Sequence, residues 1–443
     1  MKSIVLLCAL LGFSAGAMAQ IPAPADAKAA RAILADLAAH RFAEVEERFD
    51  AQMHAGLPAE KLGAVWTAIE GQVGKFEEVR GVVVSGEAVK TVTLVCHFEH
   101  ADLDALLSFN ASGQVAGLFF RPHEEGHWTA PAYAQPENFV EKPVTVTTGR
   151  WQLPGTLTLP KGKGPFPGVV LVQGSGPQDE DETIGPNKPF KDLAWGLANR
   201  GIAVLRYVKR TKQYGAASIA NPATFTVDDE TDDDAKSAVA LLARQPEIDS
   251  RRVFLLGHSL GATMAPRIAS SDPRIAGIIV MAGAVTPIEQ LALDQVETIA
   301  AREHAPAEMA QKQIAALETE VKEIESPELK PGTMVKFLGA EIPSSYWLNL
   351  RGYHPDRVAA TLHIPILVLQ GGRDYQVTPS EFALWKKALA GHKNVTFDLF
   401  PDLNHLFISG TGPSTPSEYF KPGHVAEPAI AEIAKWIQAS GRM

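Results

Sequence analysis

Apolar residues between 25 and about 55 recur at steps of three and four, so that Ile33, Leu34, Leu37, Ala38, Phe42, Val45 and Phe49 fall on one side of a helix. A second helix is predicted over 58–69, opened by Pro58 and carrying Leu62, Val65, Trp66 and Ile69 on one face. The rhythm then shortens. Segments 76–84, 88–98, 105–110 and 114–121 read as strands, punctuated by Gly81, Gly86, Gly113 and Gly117. Helices followed by antiparallel strands predict a small α+β domain over 25–121. Residues 122–143, with Pro131, Pro136 and Pro143, read as a linker, since prolines extend a chain.

From residue 144 the pattern changes again. A hairpin is predicted from 144–148 and 153–159, broken at Thr148-Gly149-Arg150. Short apolar runs at 169–172, 203–206, 253–256, 275–281, 366–370 and 395–400 then alternate with helical stretches, among them 381–389 and a closing amphipathic helix at 426–437. Continuous apolar strands separated by helices predict a mostly parallel sheet covered on both faces, with functional groups beyond the carboxyl ends of its strands. The pattern is interrupted at about 287–356, where helix formers dominate 291–300 and 309–323 and the segment ends in Ser344-Ser345-Tyr346-Trp347-Leu348-Asn349-Leu350.

The chemistry starts at Gly257-His258-Ser259-Leu260-Gly261, which follows one predicted strand and precedes a helix. A strand that reverses into a helix within a few residues strains the serine backbone, needs small neighbours, and presents the hydroxyl at the tip of the sheet. Serine is a poor nucleophile at neutral pH, so it requires a base, and the base an orienting acid. In a sheet of this kind the chain order is serine, acid, histidine. Asp374 follows the 366–370 strand through Gly371-Gly372-Arg373, and His405 follows the 395–400 strand through Pro401-Asp402-Leu403-Asn404. His424 is the rival base and Asp402 the rival acid. His258 is read as pointing away, and His363 and His392 lie at the wrong ends of their strands. For the oxyanion that develops in acyl transfer, the backbone amides of Leu260 and of Ser175, in the turn Gln173-Gly174-Ser175-Gly176, are the expected donors.

Composition narrows the class. The formal charge of −10 over 443 residues argues against nucleic acid or an anionic membrane surface as partner. Lys2, the apolar run 4–13 and Ala17-Met18-Ala19 make residues 1–19 an expected signal peptide cleaved near Ala19, leaving an exported chain without a stable membrane anchor. Removing it leaves one cysteine, Cys96, in a strand-like setting that implies a core role. His97, His100 and His123 match no metal-ligand spacing, and the acidic run 228–234 reads as the cap and solvated start of a helix. No metal or organic cofactor is expected.

Gly174-Ser175-Gly176-Pro177, the run Asp181 to Phe190, the run Arg200 to Tyr207, the serine turn and Gly371-Gly372-Arg373-Asp374 together resemble an α/β-hydrolase. Within that superfamily the chain looks most like bacterial esterases grouped with serine aminopeptidase-like and dienelactone hydrolase-like proteins. Residues 25–121 resemble the NTF2-like cone that precedes the hydrolase domain, here 144–443, in some secreted hydrolases. Relatives commonly carry His where Gln173 stands and Asp where Val208 stands. The resemblance implies that the 287–356 insert is a helical cap over the active site, with Tyr346 and Trp347 walling the substrate pocket or packing inside the cap. It also implies cleavage of a small-molecule carboxylic ester through an acyl-enzyme. The alternatives are an aminopeptidase-type serine peptidase, whose peptide amino terminus would need a carboxylate among Asp179, Glu180 and Asp181, and a binding protein that uses only the amino-terminal cone. An intact triad argues against the last.

Overall fold

The computed structural model describes residues 24–85, 90–123, 128–219, 221–302 and 307–440, so the expected signal peptide lies outside the described residues. The chain forms two compact units that part between Glu125 and Gly126.

The first unit opens with α1 (Pro24–Ala38), α2 (Phe42–Glu46), α3 (Ala51–Gly56) and α4 (Ala59–Val73). The single helical pattern expected over 25–55 is thus broken twice. His40 takes a left-handed backbone, φ 57°, and the Asp50 carboxylate accepts the amides of Gln52 and Met53, starting a new helix there. Strands β1 (Phe76–Ser85), β2 (Lys90–Phe98), β3 (Asp102–Phe109) and β4 (Val115–Pro122) pair antiparallel in sequence order. Trp66 of α4 packs its ring on Phe98 and Phe120 and closes the helices onto the sheet.

Strand β3 begins three residues earlier than the apolar pattern suggests, because its first turn of chain carries two acids that find partners in the sheet. Asp102 bonds His97, and the Asp104 carboxylate lies 2.7 Å from His123 Nδ1 and 3.1 Å from Arg121 Nε. Two of the three histidines weighed as metal ligands are occupied this way. Among the described residues no group of three or more His, Cys, Asp or Glu side chains is placed to hold a metal ion. Cys96 is buried in β2, and burial pushes its thiol up to about 12, which makes it inert.

The second unit contains β5 (Phe139–Thr148), β6 (Trp151–Pro160), β7 (Phe166–Val172), α5 (Pro189–Ala198), β8 (Ala203–Tyr207), α6 (Arg210–Tyr214), α7 (Asp233–Ala243), β9 (Ile248–His258), α8 (Leu260–Ser271) and β10 (Ile275–Met281). Next come α9 (Ile288–Arg302), α10 (Ala307–Glu325), β11 (Met334–Phe337), β12 (Ala340–Pro343), α11 (Ser344–Leu350), α12 (Pro355–Thr361), β13 (Ile366–Gly371), α13 (Pro379–Ala388), β14 (Val395–Phe400) and α14 (Glu427–Ser440). β5 starts inside the stretch read as linker, and Pro143 is paired with Thr156 on this edge strand, where a missing N–H is tolerated. The insert is helical as expected but also holds the β11–β12 hairpin, which its short strands did not signal.

Eight strands form one sheet in the order β14-β13-β10-β9-β7-β8-β6-β5, parallel except for β6. Successive residues face opposite ways. Val170, Leu255 and Ile278 join one core with Val239 of α7 and Ile268 of α8, while Val169, Phe254 and Ile279 join the other with Leu193 of α5 and Ile433 of α14. That double burial is why these strands read as unbroken apolar runs. The chain runs outward from β7 to β8 and then crosses back to β9 on the other side of β7, so the strand order reverses at the carboxyl ends of β7 and β9, the position where functional groups gather in such a sheet.

Candidate active site

Ser259 stands alone between β9 and α8, at φ 54° and ψ −116°. A side chain in that region is strained, and the turn closes because Gly257 and Gly261, two residues to either side, carry none. A Cβ on Gly257 would sit 2.1 Å from the Gly261 carbonyl oxygen, and one on Gly261 would sit 2.2 Å from that of Val172. The Ser259 amide donates to Met281 O at 3.0 Å, and its carbonyl accepts from the Thr263 amide at 3.0 Å. Ser259 is therefore held rigidly, half-buried, between the buried His258 and Leu260.

Asp374 and His405 are brought together from the ends of adjacent strands β13 and β14. The Asp374 carboxylate lies 2.7 Å from His405 Nδ1, and both side chains are buried. The two loops touch because Gly371 and Gly372 lack side chains: a Cβ would meet Asn404 O at 2.6 Å from the first and the Pro401 backbone at 2.7 Å from the second. The Asn404 side chain accepts the amides of Leu406 and Ile408 and folds the histidine loop back on itself. The rivals are placed elsewhere. His424 Nδ1 is 3.2 Å from Asp192, and Asp402 is exposed on the surface of the loop.

The turn after β7 lies directly against the serine, since a Cβ on Gly174 would be 3.1 Å from Ser259 Cβ. The Gly174 amide donates to Glu182 Oε1 at 2.6 Å, and its carbonyl accepts from Lys209 Nζ at 2.7 Å. The two peptides that meet at Gly174 are thus each anchored, and the second carries the Ser175 amide, the next along the turn. Among the described residues no acceptor is found for the amides of Ser175 or Leu260. Gln173, standing where relatives carry His, is buried and satisfied by the Tyr207 carbonyl, while the Val208 amide joins Pro154 O at 2.8 Å.

Three features were not legible in the sequence. His258 does not point idly away: it is buried beneath His405, with ring centroids 4.7 Å apart and its Nε2 2.9 Å from His405 O. Glu182 is buried beside it. The acidic run is also not a solvated cap. Asp228–Asp232 forms a π-helical turn, and Glu230, Asp232 and Asp234 are buried, facing Lys209, Arg267 and Arg210 respectively. The signal for this was present in the two consecutive cations Lys209 and Arg210, but their partners are 21 and 24 residues away.

The insert lies against the loops that carry Asp374 and His405. Gln295 of α9 donates to Gln376 O at 2.9 Å, and Ile299 packs on the cluster of Tyr375, Leu406 and Tyr419. Tyr346 and Trp347 sit deeper, in packing: Tyr346 stacks on Phe225, and Trp347 meets Phe337 edge to face at 4.8 Å. Burial and the neighbouring Glu230 push the Tyr346 hydroxyl far above its ordinary range. Packing accounts for both side chains without a substrate.

The carboxylates weighed as an anchor for a peptide amino terminus are engaged. Asp179 accepts the amides of Asp181 and Thr183. Asp181 meets Arg206 at 2.9 Å and Lys188 at 3.0 Å; burial pushes its carboxyl up, but the two cations outweigh that and hold it low. Glu180 accepts from Thr156 at 3.1 Å, and burial lifts its carboxyl.

Compared with known proteins, residues 188–410 match the family described as serine aminopeptidase, S33, and residues 30–118 match one described as a protein of unknown function, DUF3887. Esterase EstD of Thermotoga maritima is 41% identical over 389 residues, which cover 87% of this chain and 89% of that one. Among solved structures, Est1E from Butyrivibrio proteoclasticus has a TM-score of 0.46 at 13% identity, covering 68% of this chain and 99% of its own. A Pyrococcus furiosus esterase has a TM-score of 0.44 at 16% identity, covering 72% and 96%.

Proposed function

The chain belongs to the serine aminopeptidase (S33) family of α/β-hydrolases, with an NTF2-like small domain at its amino end, and from that membership we propose that it is an exported serine hydrolase of carboxylic esters. Ser259 Oγ attacks the ester carbonyl while His405 Nε2 takes its proton. Asp374 holds the imidazole by Nδ1 and stabilises the imidazolium. The tetrahedral oxyanion lies between the amides of Leu260 and Ser175. His405 returns the proton to the leaving alkoxide, an acyl-enzyme remains, and a water activated by the same histidine releases the acid.

The observation that carries this reading is the buried 2.7 Å contact of Asp374 with His405 at the carboxyl ends of β13 and β14, in the same sheet whose strand β9 ends in a positive-φ serine. Ester is favoured over peptide amine because Asp179, Glu180 and Asp181 are bound into the protein rather than facing a ligand. Export rests on the leader-like residues 1–19, and sequencing the amino terminus of the protein recovered outside the cytoplasm tests it. A fluorophosphonate probe tests the chemistry. It should label the wild type and not Ser259→Ala, and p-nitrophenyl esters should turn over in preference to aminoacyl amides. Equal labelling of both proteins would sink the mechanism, and turnover of amides alone would sink the ester assignment.

A further inference from the structure

We propose that Glu182 is the positioning residue of this site, setting with one oxygen the turn that carries Ser175 and with the other the backbone that carries His405. The inference rests on the roles proposed above for Ser175, Ser259 and His405. Glu182 is 1% exposed and takes a left-handed backbone, φ 51°, a conformation that a non-glycine residue keeps only when its surroundings over-determine it. Its side chain supplies the reason. Oε1 accepts the Gly174 amide at 2.6 Å, and Oε2 lies 2.9 Å from His258 Nδ1.

The proton on His258 follows from its partners. A carbonyl only accepts, so Nε2 must donate to His405 O at 2.9 Å. Nδ1 faces the Glu182 carboxylate at 2.9 Å, and that charge favours a second proton on the ring. Burial alone would push that ring toward neutrality, but the Glu182 carboxylate, the His405 carbonyl and Asp374 together hold its pKa above the ordinary value. The Nδ1 contact is close in distance but lies outside hydrogen-bond angles, so it acts as an ion pair through charge rather than direction.

One carboxylate thus joins two pieces of machinery that come from loops more than two hundred residues apart in sequence. Without it the peptide between Gln173 and Gly174 loses its anchor at the start of the turn, which leaves Lys209 alone to hold the next peptide and its Ser175 amide, and the His258 ring loses the charge it faces. Both changes act on groups that meet the charge developing in the transition state rather than on the ground-state substrate, so the effect should fall on kcat.

The test uses the full chain with p-nitrophenyl ester turnover, and thermal unfolding to show that each variant is folded. Glu182→Ala should lower kcat about 100-fold or more, the scale of a lost oxyanion donor, with KM within about threefold. Glu182→Gln keeps an acceptor for Gly174 and a neutral contact for His258, and should recover part of that loss. Wild-type kcat in either folded variant, or a deficit carried by KM, overturns the proposal; if Glu182→Ala does not fold, Glu182→Gln decides by the same criteria. Failure of the underlying reading is separate: it would show as a wild type that the fluorophosphonate does not label, whatever Glu182 does.

Discussion

Asp374 and His405 meet through a carboxylate whose other positions are already taken. Oδ1 accepts the amides of Gln376 and Val377 at 2.8 and 3.0 Å, and Oδ2 accepts Gln370 Nε2 at 3.1 Å as well as facing His405 Nδ1. With four donors converging on it, the carboxylate cannot rotate. In Asp374→Asn the oxygen must stay with the two amides, so the new NH2 group faces His405 Nδ1 and imposes the tautomer that cannot take a proton from Ser259. A loss of about 10⁴-fold in kcat is expected, the size seen when a triad acid becomes an amide, with little change in melting temperature. Steady-state kinetics on a p-nitrophenyl ester checks it, and a loss below about tenfold would count against Asp374 as the orienting acid.

Gly257→Ala and Gly261→Ala should each disrupt the serine turn. The atoms that a new Cβ would meet, at 2.1 and 2.2 Å, are backbone carbonyls of α8 and β7, which cannot swing aside as a side chain would. A cost of roughly 3 kcal/mol or more is expected for each, with loss of fluorophosphonate labelling in any folded fraction. Gly149→Ala is the control. No atom lies within 4 Å of its Cβ position, so only its positive φ of 55° opposes the change, and its cost, about 1 kcal/mol, should be smaller.

Lys209 ties the Gly174 carbonyl to Glu230, both contacts being 2.7 Å, in a site where the side chains are 2% and 8% exposed. Lys209→Met strands the Glu230 carboxylate, and breaking a buried pair from one side costs about 3–5 kcal/mol. Urea unfolding should show that loss. The double variant Lys209→Met with Glu230→Gln should regain part of it, because no unpaired charge remains. Additive costs for the two single changes would mean that the pair is not coupled.

Asp232 gives the fold a pH dependence of definite sign. Burial, with Asp228 nearby, lifts its carboxyl to about 8 despite Arg267, and Oδ1 has no partner among the described residues. An unfolded aspartate titrates near about 4. Between these values the folded state binds the extra proton, so stability falls as pH rises from about 4 to about 8. Asp232→Asn is neutral throughout, and Arg267 keeps Asp228 as partner at 2.6 Å. The variant's melting temperature should therefore gain on the wild type from pH 5 to about pH 8 and level off above it. Parallel curves would show that Asp232 does not titrate in this range.

How far the sequence reaches is visible residue by residue. Strand 275–281 was readable to the residue because, covered on both faces, it is apolar throughout, whereas 395–400, at the edge of the sheet, was read from apolar residues interleaved with Thr396 and Asp398. Strand β3 was read short, because Asp102 and Asp104 look like turn residues until His97, Arg121 and His123 are placed beside them. The pair Asp374 and His405 could be chosen from chain order alone, since each had to follow a strand directly.

By itself the sequence determined the alternation of strands and helices, the tight glycine-flanked serine turn and the order of serine, acid and histidine, all of which depend on neighbours within a few residues. Only the tertiary structure decided what lies beneath them. Glu182 against His258, and Lys209 and Arg210 against the run 228–234, are charges that look solvated in sequence and are buried in the fold. A buried charge is tolerated only where a partner of opposite sign arrives, and which distant segment brings that partner is fixed by the packing of the sheet and not by any local pattern. Ser259 was legible because its strain is local; the support beneath His405 was not, because it is assembled from three loops.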